Sequence, residues 1–243
     1  MPLLTSLRNS PFIRALFRNV FVTGDNVRLA TQQPVIRSLL PPQADRALDA
    51  GAGSGEYTRQ LLLPRARQVV TVDLNEASLR RFRSRLNPDE RERCRIAVGS
   101  VGTVPCANET FDLVLLCEVL EHCEDDGAVL DELWRVMKPS GTLVISVPVP
   151  PAAYPDRWHV REGYTLEALT DLLDRHGFGV RDHEYCMFQW SRAVLRLRVR
   201  MPIHLPLMFV VHLERLLMSG RGTEALPFDL VLRATRRPRR VAP

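Results

Sequence analysis

The sequence lacks a paired set of cysteines and a long apolar run. Its five cysteines are odd in number and include no CxxC pair, and a chain of 243 residues can build a core without disulfide bonds. Reduced thiols and a cytoplasmic location are therefore predicted. Residues 1–19 carry arginines among scattered apolar side chains, with no continuous apolar stretch or cleavage site behind them. This pattern predicts neither a signal peptide nor a membrane-spanning helix.

Acidic residues are missing from the last eleven residues, which hold five arginines. Without those five, the chain has 28 basic and 28 acidic side chains, so its formal charge of +5 comes from the tail alone. A neutral body argues against nucleic acid as a partner. The favoured interpretation of the tail is a solvated terminus, and a peripheral contact with an anionic membrane is the alternative. The arginines are Arg233, Arg236, Arg237, Arg239 and Arg240.

Internal repeats and low-complexity segments are also absent, and the composition is that of an ordinary globular protein. Residues 11–40 have helical spacing with a break at 23–26, and Pro41-Pro42 ends this part. We therefore predict an N-terminal helical segment over 1–42 and one α/β domain over 43–243. An insertion at about 187–223 interrupts that domain, because it fits no strand-helix rhythm.

Strand-like and helix-like segments alternate from Arg46 onward, which predicts a parallel sheet with helices on both faces. The predicted strands are a short one before Gly51, then Gln68 to Val72, Arg95 to Val98, Phe111 to Cys117, Thr142 to Val147, Val180 to Cys186 and Phe228 to Ala234. The predicted helices are Glu56 to Leu63, Glu76 to Leu86, Asp125 to Met137 and Thr165 to His176, the last capped by Gly177.

A glycine-rich loop lies between the first strand and the helix that follows. Gly51, Gly53 and Gly55 form GxGxG, which differs from the GxGxxG pattern of dinucleotide-binding folds. A tight turn would explain one such glycine, but three within five residues favour close approach of a ligand. About twenty residues on, Asp73 follows an apolar strand, where its carboxylate can accept hydrogen bonds from ribose hydroxyls or cap the next helix. The loop and Asp73 together predict a ribose-bearing cofactor.

Four stretches in order resemble the class I S-adenosylmethionine-dependent methyltransferases, in particular methyltransferase type 11 and the ubiquinone-pathway O-methyltransferases. They are LDAGAGSGEYT at 48–58, VVTVDLNEASL at 69–79, TFDLVLLCEVLEH at 110–122 and RVMKPSGTLVISVP at 135–148. The segment at 159–178 is similar to the one after the fifth strand of that family. The resemblance implies a Rossmann-like, seven-stranded, mostly parallel sheet with an antiparallel last strand. It also implies S-adenosylmethionine as cofactor and S-adenosylhomocysteine as product.

The resemblance further implies roles for residues at the matching positions. Ser100 stands where the family often has an acid that contacts the adenine amine, so the backbone N–H of Val101 is left for that contact. Asp73 would hold the ribose hydroxyls, and Leu74 would pack against adenine. Asp49, Gly51, Gly53 and Gly55 would surround the methionine and ribose end, and Cys117 and Glu118 would face the sulfonium.

Methyl transfer needs alignment of nucleophile, methyl and sulfur, and a base where the nucleophile carries a proton. The candidate catalytic residues are His122 and His159. Together with Glu118 and Glu121 they also resemble the metal site of small-RNA and ubiquinone-pathway O-methyltransferases, and this metal site is an alternative to the favoured role of His122 as a base or pocket wall. Zinc held by Cys117 and Cys123 is rejected, because their spacing matches no common ligand pattern.

The acceptor side is less well defined by the sequence. Trp158, Tyr164 and Trp190 are candidates to line an acceptor pocket, with core packing as the alternative for each. The insertion at 187–223 combines arginines with a proline-interrupted apolar run. It is interpreted as a lid, a dimer surface, an interfacial membrane contact or an ordinary cover of the core. A small-molecule or lipid-linked acceptor is predicted, methylated on oxygen, nitrogen or carbon, and the oligomeric state stays open.

Three rival functions remain from the sequence. An NAD-dependent oxidoreductase is disfavoured by GxGxG and by the lack of a Tyr-x-x-x-Lys pair, since Lys138 is the only lysine. A non-catalytic S-adenosylmethionine-binding module is disfavoured because both the loop and Asp73 are present. A metal-assisted RNA 2′-O-methyltransferase is disfavoured by the neutral body.

Overall fold

The computed structural model describes residues 24–151, 157–191, 193, 212–214, 216–218 and 227–238. These fall into two compact units. One consists of Val35–Glu184 with the chain from Asp229 onward, and it contains most of the sheet. The other contains the described residues among Met1–Pro34 and Tyr185–Phe228. The predicted domain boundary at residue 42 and the predicted insertion remain predictions.

The helices begin with α1, Gly24–Leu39, which starts inside the predicted break and continues through Pro34. It places Val35, Ile36 and Leu39 in the core. Asn75 and Thr165 cap α2 and α5, each accepting a hydrogen bond from the backbone N–H three residues on. The other helices are α2 (Glu76–Arg85), α3 (Pro88–Arg93), α4 (Asp126–Val136) and α5 (Leu166–Arg175).

Seven strands form one sheet in the order β3-β2-β1-β4-β5-β7-β6. Neighbouring strands from β3 through β5 are parallel, and β7 is antiparallel to β5. The predicted fold class is therefore confirmed. The strands are β1 (Ala44–Ala50), β2 (Ala66–Asp73), β3 (Cys94–Val98), β4 (Phe111–Cys117), β5 (Met137–Pro148), β6 (Phe178–Cys186) and β7 (Asp229–Arg236).

The core lies on the central strands. Leu113 through Leu116 of β4 and Leu143 through Ile145 of β5 are fully buried, which explains why these runs are continuously apolar. The chain order reverses at β1, which pairs with β2 on one side and β4 on the other. In open α/β sheets ligands bind at the carboxyl ends of the strands at such a reversal. The loop after β1 and the loop after β4 meet there.

Three elements differ from the sequence-based expectation. The predicted helix from Glu56 is π-helical over Thr58–Leu62, and α3 was not expected at all. Strand β5 begins at Met137 because Phe111 of β4 pairs with it, and the register then shifts so that Leu113 pairs with Thr142. The five cysteines are free, as predicted. No described helix is long and apolar enough to cross a membrane.

Candidate active site

The glycine-rich loop leaves β1 at the reversal point of the sheet. Gly51, Gly53 and Gly55 have φ values of +79°, +52° and +72°, a region that residues with a Cβ atom rarely adopt. A Cβ atom on Gly51 would lie 2.3 Å from Val119, and one on Gly55 would lie 2.2 Å from the Phe82 ring. These two glycines are therefore required both by backbone conformation and by space. The result is a stretch of bare backbone at the carboxyl edge of the sheet.

Asp73 connects this loop to the end of β2. One carboxylate oxygen accepts a hydrogen bond from the N–H of Gly53 at 2.7 Å, and the other accepts one from the N–H of Asn75 at 2.7 Å. Asn75, and not Asp73, is the residue that caps α2. An ionised carboxylate offers about four lone-pair positions, so two remain for other donors. Two adjacent hydroxyls of a ribose match that remaining capacity.

Asp49 lies beneath the loop, at the end of β1, and is buried. Its carboxylate accepts a hydrogen bond from the Thr58 hydroxyl. The pKa of Asp49 is raised from an ordinary value of 3.8 to about 6, chiefly by burial and in smaller part by the nearby Asp73, while the hydrogen bond from Thr58 opposes the rise. Asp49 thus holds the first turn of the following helix against the strand end.

An apolar surface lies beside Asp73. Leu74 is 75% exposed, and Val98, the register partner of Asp73 on β3, is 55% exposed. Exposed aliphatic side chains next to a ribose-sized acceptor site suit the flat face of a base. Ser100 hydrogen-bonds within its own turn, since its hydroxyl accepts from the N–H of Gly102 at 3.1 Å, and the Val101 side chain is nearly buried.

Cys117 is the last residue of strand β4, and Glu118 follows it. Glu118 has a φ of +55°, a strained conformation for a residue with a side chain, and such strain is concentrated at functional sites. Its N–H donates to the Ser146 carbonyl at 3.0 Å, and its carboxylate accepts from the Ser146 hydroxyl at 2.9 Å. Burial raises the pKa of the Cys117 thiol well above its usual range, so it stays a neutral thiol.

The structure brings together Glu121, His122 and His159. Their ligand atoms all lie within 4.8 Å of one another, and the two imidazole rings meet edge to face at a centroid distance of 4.6 Å. Glu121 is fully buried, whereas His122 is exposed. Glu118 lies outside this cluster and pairs with Ser146 instead.

The tautomer of His122 follows from its contact. Its Nδ1 lies 2.9 Å from the carbonyl oxygen of Trp158. A carbonyl can only accept, so Nδ1 carries the proton and Nε2 of the neutral ring has a free lone pair. Nε2 is 3.9 Å from Glu121 Oε1. The ring can therefore accept a proton, or bind a cation, through Nε2.

The three candidate residues of the acceptor pocket differ in how exposed they are and in what they contact. Trp158 is 67% exposed and adjoins the His122 imidazole through its carbonyl. Tyr164 is buried: its hydroxyl donates to Asp126 at 2.8 Å and accepts from Arg161 at 2.6 Å, so it closes an internal network. Trp190 is partly exposed and belongs to the other compact unit.

A large groove elsewhere on the molecule is lined by none of the candidate cofactor-binding or catalytic residues. It has a volume of about 1410 Å³ and is lined by the first residues of β1 and β2, including Asp45, Arg46 and Arg67. It lies at the amino-terminal edge of the sheet, opposite the glycine-rich loop. The volume of a groove does not identify the site in this molecule.

Sequence reasoning missed four contributors to the site: Thr58, Val119, Ser146 and Arg85. Thr58 holds Asp49, and Val119 packs against Gly51. Ser146 could have been found, because it is a buried polar residue within the apolar run of β5. Arg85 could not, since it contacts Ser54 and Glu56 from about thirty residues away.

Comparison with known proteins agrees with this geometry. Residues 48–145 match the family model described as a methyltransferase domain. A probable S-adenosylmethionine-dependent methyltransferase of Mycolicibacterium smegmatis is 33% identical over 141 residues, which are 56% of this chain and 52% of the relative. A demethylmenaquinone methyltransferase of Clavibacter sepedonicus is 33% identical over 131 residues, 54% of this chain and 50% of the relative.

Solved structures share the fold. One is the Burkholderia thailandensis 1,6-didemethyltoxoflavin-N1-methyltransferase, which holds 1,6-didemethyltoxoflavin and S-adenosylhomocysteine. It superposes with a TM-score of 0.59 at 22% identity, over 87% of this chain and 78% of that one. The chain spans about half the length of the curated relatives that it matches. The matched methyltransferase domain, the relatives and the shared fold support the class I S-adenosylmethionine-dependent methyltransferases, the family that the four motifs predict.

Proposed function

We propose that this protein transfers the methyl group of S-adenosylmethionine to a small-molecule or lipid-linked acceptor. The observation that supports this most strongly is the carboxyl edge of β1 and β2, where bare loop backbone faces Asp73 with its two remaining acceptor positions. Leu74 and Val98 add an apolar surface beside it. These residues fit the ribose and adenine of the family's cofactor.

In this proposal the residues of the site bind the cofactor and orient its methyl group. Asp73 accepts hydrogen bonds from the ribose hydroxyls, and Gly51, Gly53 and Gly55 surround the methionine end, with Asp49 supporting their loop from beneath. Glu118, fixed by Ser146, faces the reacting group. S-adenosylmethionine supplies an already activated methyl group, so alignment accounts for most of the rate increase. His122 takes a proton from the acceptor through Nε2, with Trp158 holding the ring through Nδ1.

The acceptor class follows from the surroundings of His122. Trp158, whose carbonyl contacts the imidazole, and Val160, whose N–H donates to the Glu121 carbonyl, are both exposed and offer apolar contact area. The Clavibacter relative is named for a demethylated menaquinone, a lipid-like molecule, which supports an apolar acceptor here. The neutral body disfavours nucleic acid. The five free thiols support a cytoplasmic location.

Binding measurements test the cofactor half of the proposal. Calorimetry with S-adenosylhomocysteine, S-adenosylmethionine and NAD is expected to give micromolar binding of the first two and none of NAD. Binding of NAD alone would overturn the proposal and favour an oxidoreductase. Binding without any transfer of labelled methyl to extracted metabolites or lipids would favour a non-catalytic binding module.

The base is tested with His122→Gln. The amide nitrogen of glutamine can still donate a hydrogen bond but cannot accept a proton near neutral pH, so labelled methyl transfer is expected to fall about 100-fold or more. The dissociation constant for S-adenosylhomocysteine is expected to stay within about twofold. Unchanged transfer would remove His122 from the mechanism.

A metal-assisted reaction is the second candidate, favoured by the convergence of one carboxylate and two imidazoles. The donor set of Glu121, His122 and His159 suits a divalent ion, and the free Nε2 of His122 is available as a ligand. Calorimetry with Mn²⁺ or Co²⁺ is the test. Binding that is lost in His159→Ala supports this branch, whereas no binding, with transfer unaffected by chelator, removes it.

A further inference from the structure

Arg85, the last residue of α2, contacts the glycine-rich loop and the first residue of the helix that follows the loop. Its guanidinium donates to the Ser54 carbonyl and to the Glu56 carboxylate. The side chains of Arg85 and Glu56 are 31% and 28% exposed, so the pair is partly shielded from water. A planar guanidinium that donates two hydrogen bonds fixes the direction of its acceptors as well as their distance.

This contact fixes a peptide plane in the middle of the loop. The carbonyl of Ser54 is held by Arg85, and the N–H of Gly55 in the same peptide unit donates to the Ala52 carbonyl at 2.8 Å. A peptide unit is planar, so holding both ends sets its orientation. On the other side of Ser54, the N–H of Gly53 is bonded to Asp73. The segment Gly53–Gly55 is thus held by the end of β2, by α2 and by Ala52 of the loop itself.

The same helix also supports the loop from below. Phe82, one turn before Arg85, is fully buried and lies where a side chain on Gly55 would be. Glycine-rich backbone has many accessible conformations, and selecting one on ligand binding lowers affinity. A residue that selects the conformation beforehand therefore affects cofactor affinity more than global stability.

We propose that Arg85 is a positioning residue for S-adenosylmethionine, because it holds the Gly53–Gly55 backbone in the conformation that receives the cofactor. The inference rests on the proposed cofactor role of this loop. Arg80 on the same helix is a matched control: it pairs with Glu76 at 2.6 Å, in an exposed pair that has no contact with the loop among the described residues.

Calorimetry with S-adenosylhomocysteine compares the wild type, Arg85→Met and Arg80→Met. Arg85→Met is expected to weaken binding about 10-fold, and Arg80→Met to leave it within twofold. Arg85→Lys keeps the charge but presents a single ammonium, so an intermediate loss is expected. Equal affinity of Arg85→Met and wild type would overturn the inference. A wild type that binds neither cofactor form would overturn the proposed function instead.

Hydrogen exchange on the ligand-free protein gives a readout that does not depend on affinity. The amides of Ser54, Gly55 and Glu56 are expected to exchange faster in Arg85→Met and Arg85→Lys, with exchange on β4 and β5 unchanged. Faster exchange across the whole sheet would assign Arg85 to global stability and overturn its positioning role. The lysine variant keeps this test valid if the methionine variant does not fold.

Discussion

At the scale of single residues, the carboxylates of the site differ in what surrounds them. Asp73 is bonded to two backbone N–H groups, whereas Asp49 is buried against one hydroxyl. The first has acceptor capacity left for a ligand. The second supports the loop from within.

Asp73→Asn is expected to weaken S-adenosylhomocysteine binding by tens to about 100-fold. Hydrogen bonds to a charged acceptor contribute roughly 1.5–3 kcal/mol, and the amide has only one oxygen for its several donors. Titration calorimetry measures the loss. Asp112→Asn is the matched control, because Asp112 also accepts from two backbone N–H groups but does so at the opposite edge of the sheet. Equal losses in both variants would contradict a cofactor role for Asp73.

Asp49→Asn is expected to change how stability depends on pH. Because burial raises the pKa of Asp49 from 3.8 to about 6, the folded protein holds this proton more tightly than the unfolded chain does. The contribution to stability is therefore complete below pH 3.8 and is lost as the pH rises through 6, by roughly 3 kcal/mol in all. Asparagine can still accept from Thr58 and has no such loss.

Urea unfolding from pH 4 to pH 8 checks this. The free energy of unfolding of Asp49→Asn is expected to be flatter across pH 4–6 and higher than that of the wild type at pH 7 and above. Parallel curves for the two proteins would show that Asp49 is not the group responsible.

At the scale of elements, the residues packed against the glycine-rich loop restrict which side chains the loop can carry. Gly55→Ala would place a methyl group against the buried Phe82 ring at a φ of +72°. Strained backbone and overpacking together are expected to lower the free energy of unfolding by about 3 kcal/mol. Gly99→Ala is the control, since its Cβ would meet Val72 at an ordinary 3.6 Å. Urea unfolding of both variants measures the difference, and equal stability would contradict the packing argument.

Much of the arrangement of strands and helices could be predicted from the sequence. The apolar runs of β2 and β4 and the approximate starts of α2 and α5 depend on neighbouring residues, so the sequence predicts them, although it offers Asp73 instead of Asn75 as the cap of α2. Helix α3 also had a local signal, a capping box of Asn87 and Glu90 around Pro88, which sequence reasoning overlooked. The longer β5 and the Arg85 contact depend on residues distant in sequence, namely Phe111 and Ser54, and no local pattern marks them.

At the scale of the whole molecule, the basic tail is partly built into the fold. Arg233, Arg236 and Arg237 pair with Asp182, Glu109 and Asp174, respectively. The expectation of a solvated terminus therefore fails for Arg233 and Arg236, because both lie on β7 within the sheet, whereas Arg237 follows β7 and its side chain is 48% exposed. Arg239 and Arg240 lie outside the described residues. A membrane contact through the tail would depend on those two, and at about 1 kcal/mol each they would bind weakly.

Arg236→Met is expected to lower the free energy of unfolding by roughly 2–4 kcal/mol. The side chain of Arg236 is 6% exposed and bonds Glu109 at 2.9 Å and the Met137 carbonyl at 2.7 Å, and its guanidinium lies 3.8 Å from the Trp134 ring centroid. Arg237→Met, which removes an exposed pair, is expected to cost less than about 1 kcal/mol. Chemical denaturation separates the two, and a neutral Arg236→Met would contradict the assigned burial.

The position of β7 also affects how the protein can fold during its synthesis. This strand is the last of the described strands along the sequence, yet it lies between β5 and β6. During synthesis β5 therefore has an unpaired edge of Leu143, Val144 and Ile145 until residues 229–236 have been added. An exposed apolar edge is an aggregation site. A product that ends before Asp229 lacks β7 and leaves this edge of β5 unpaired, so such incomplete products are expected to be insoluble or to need a chaperone.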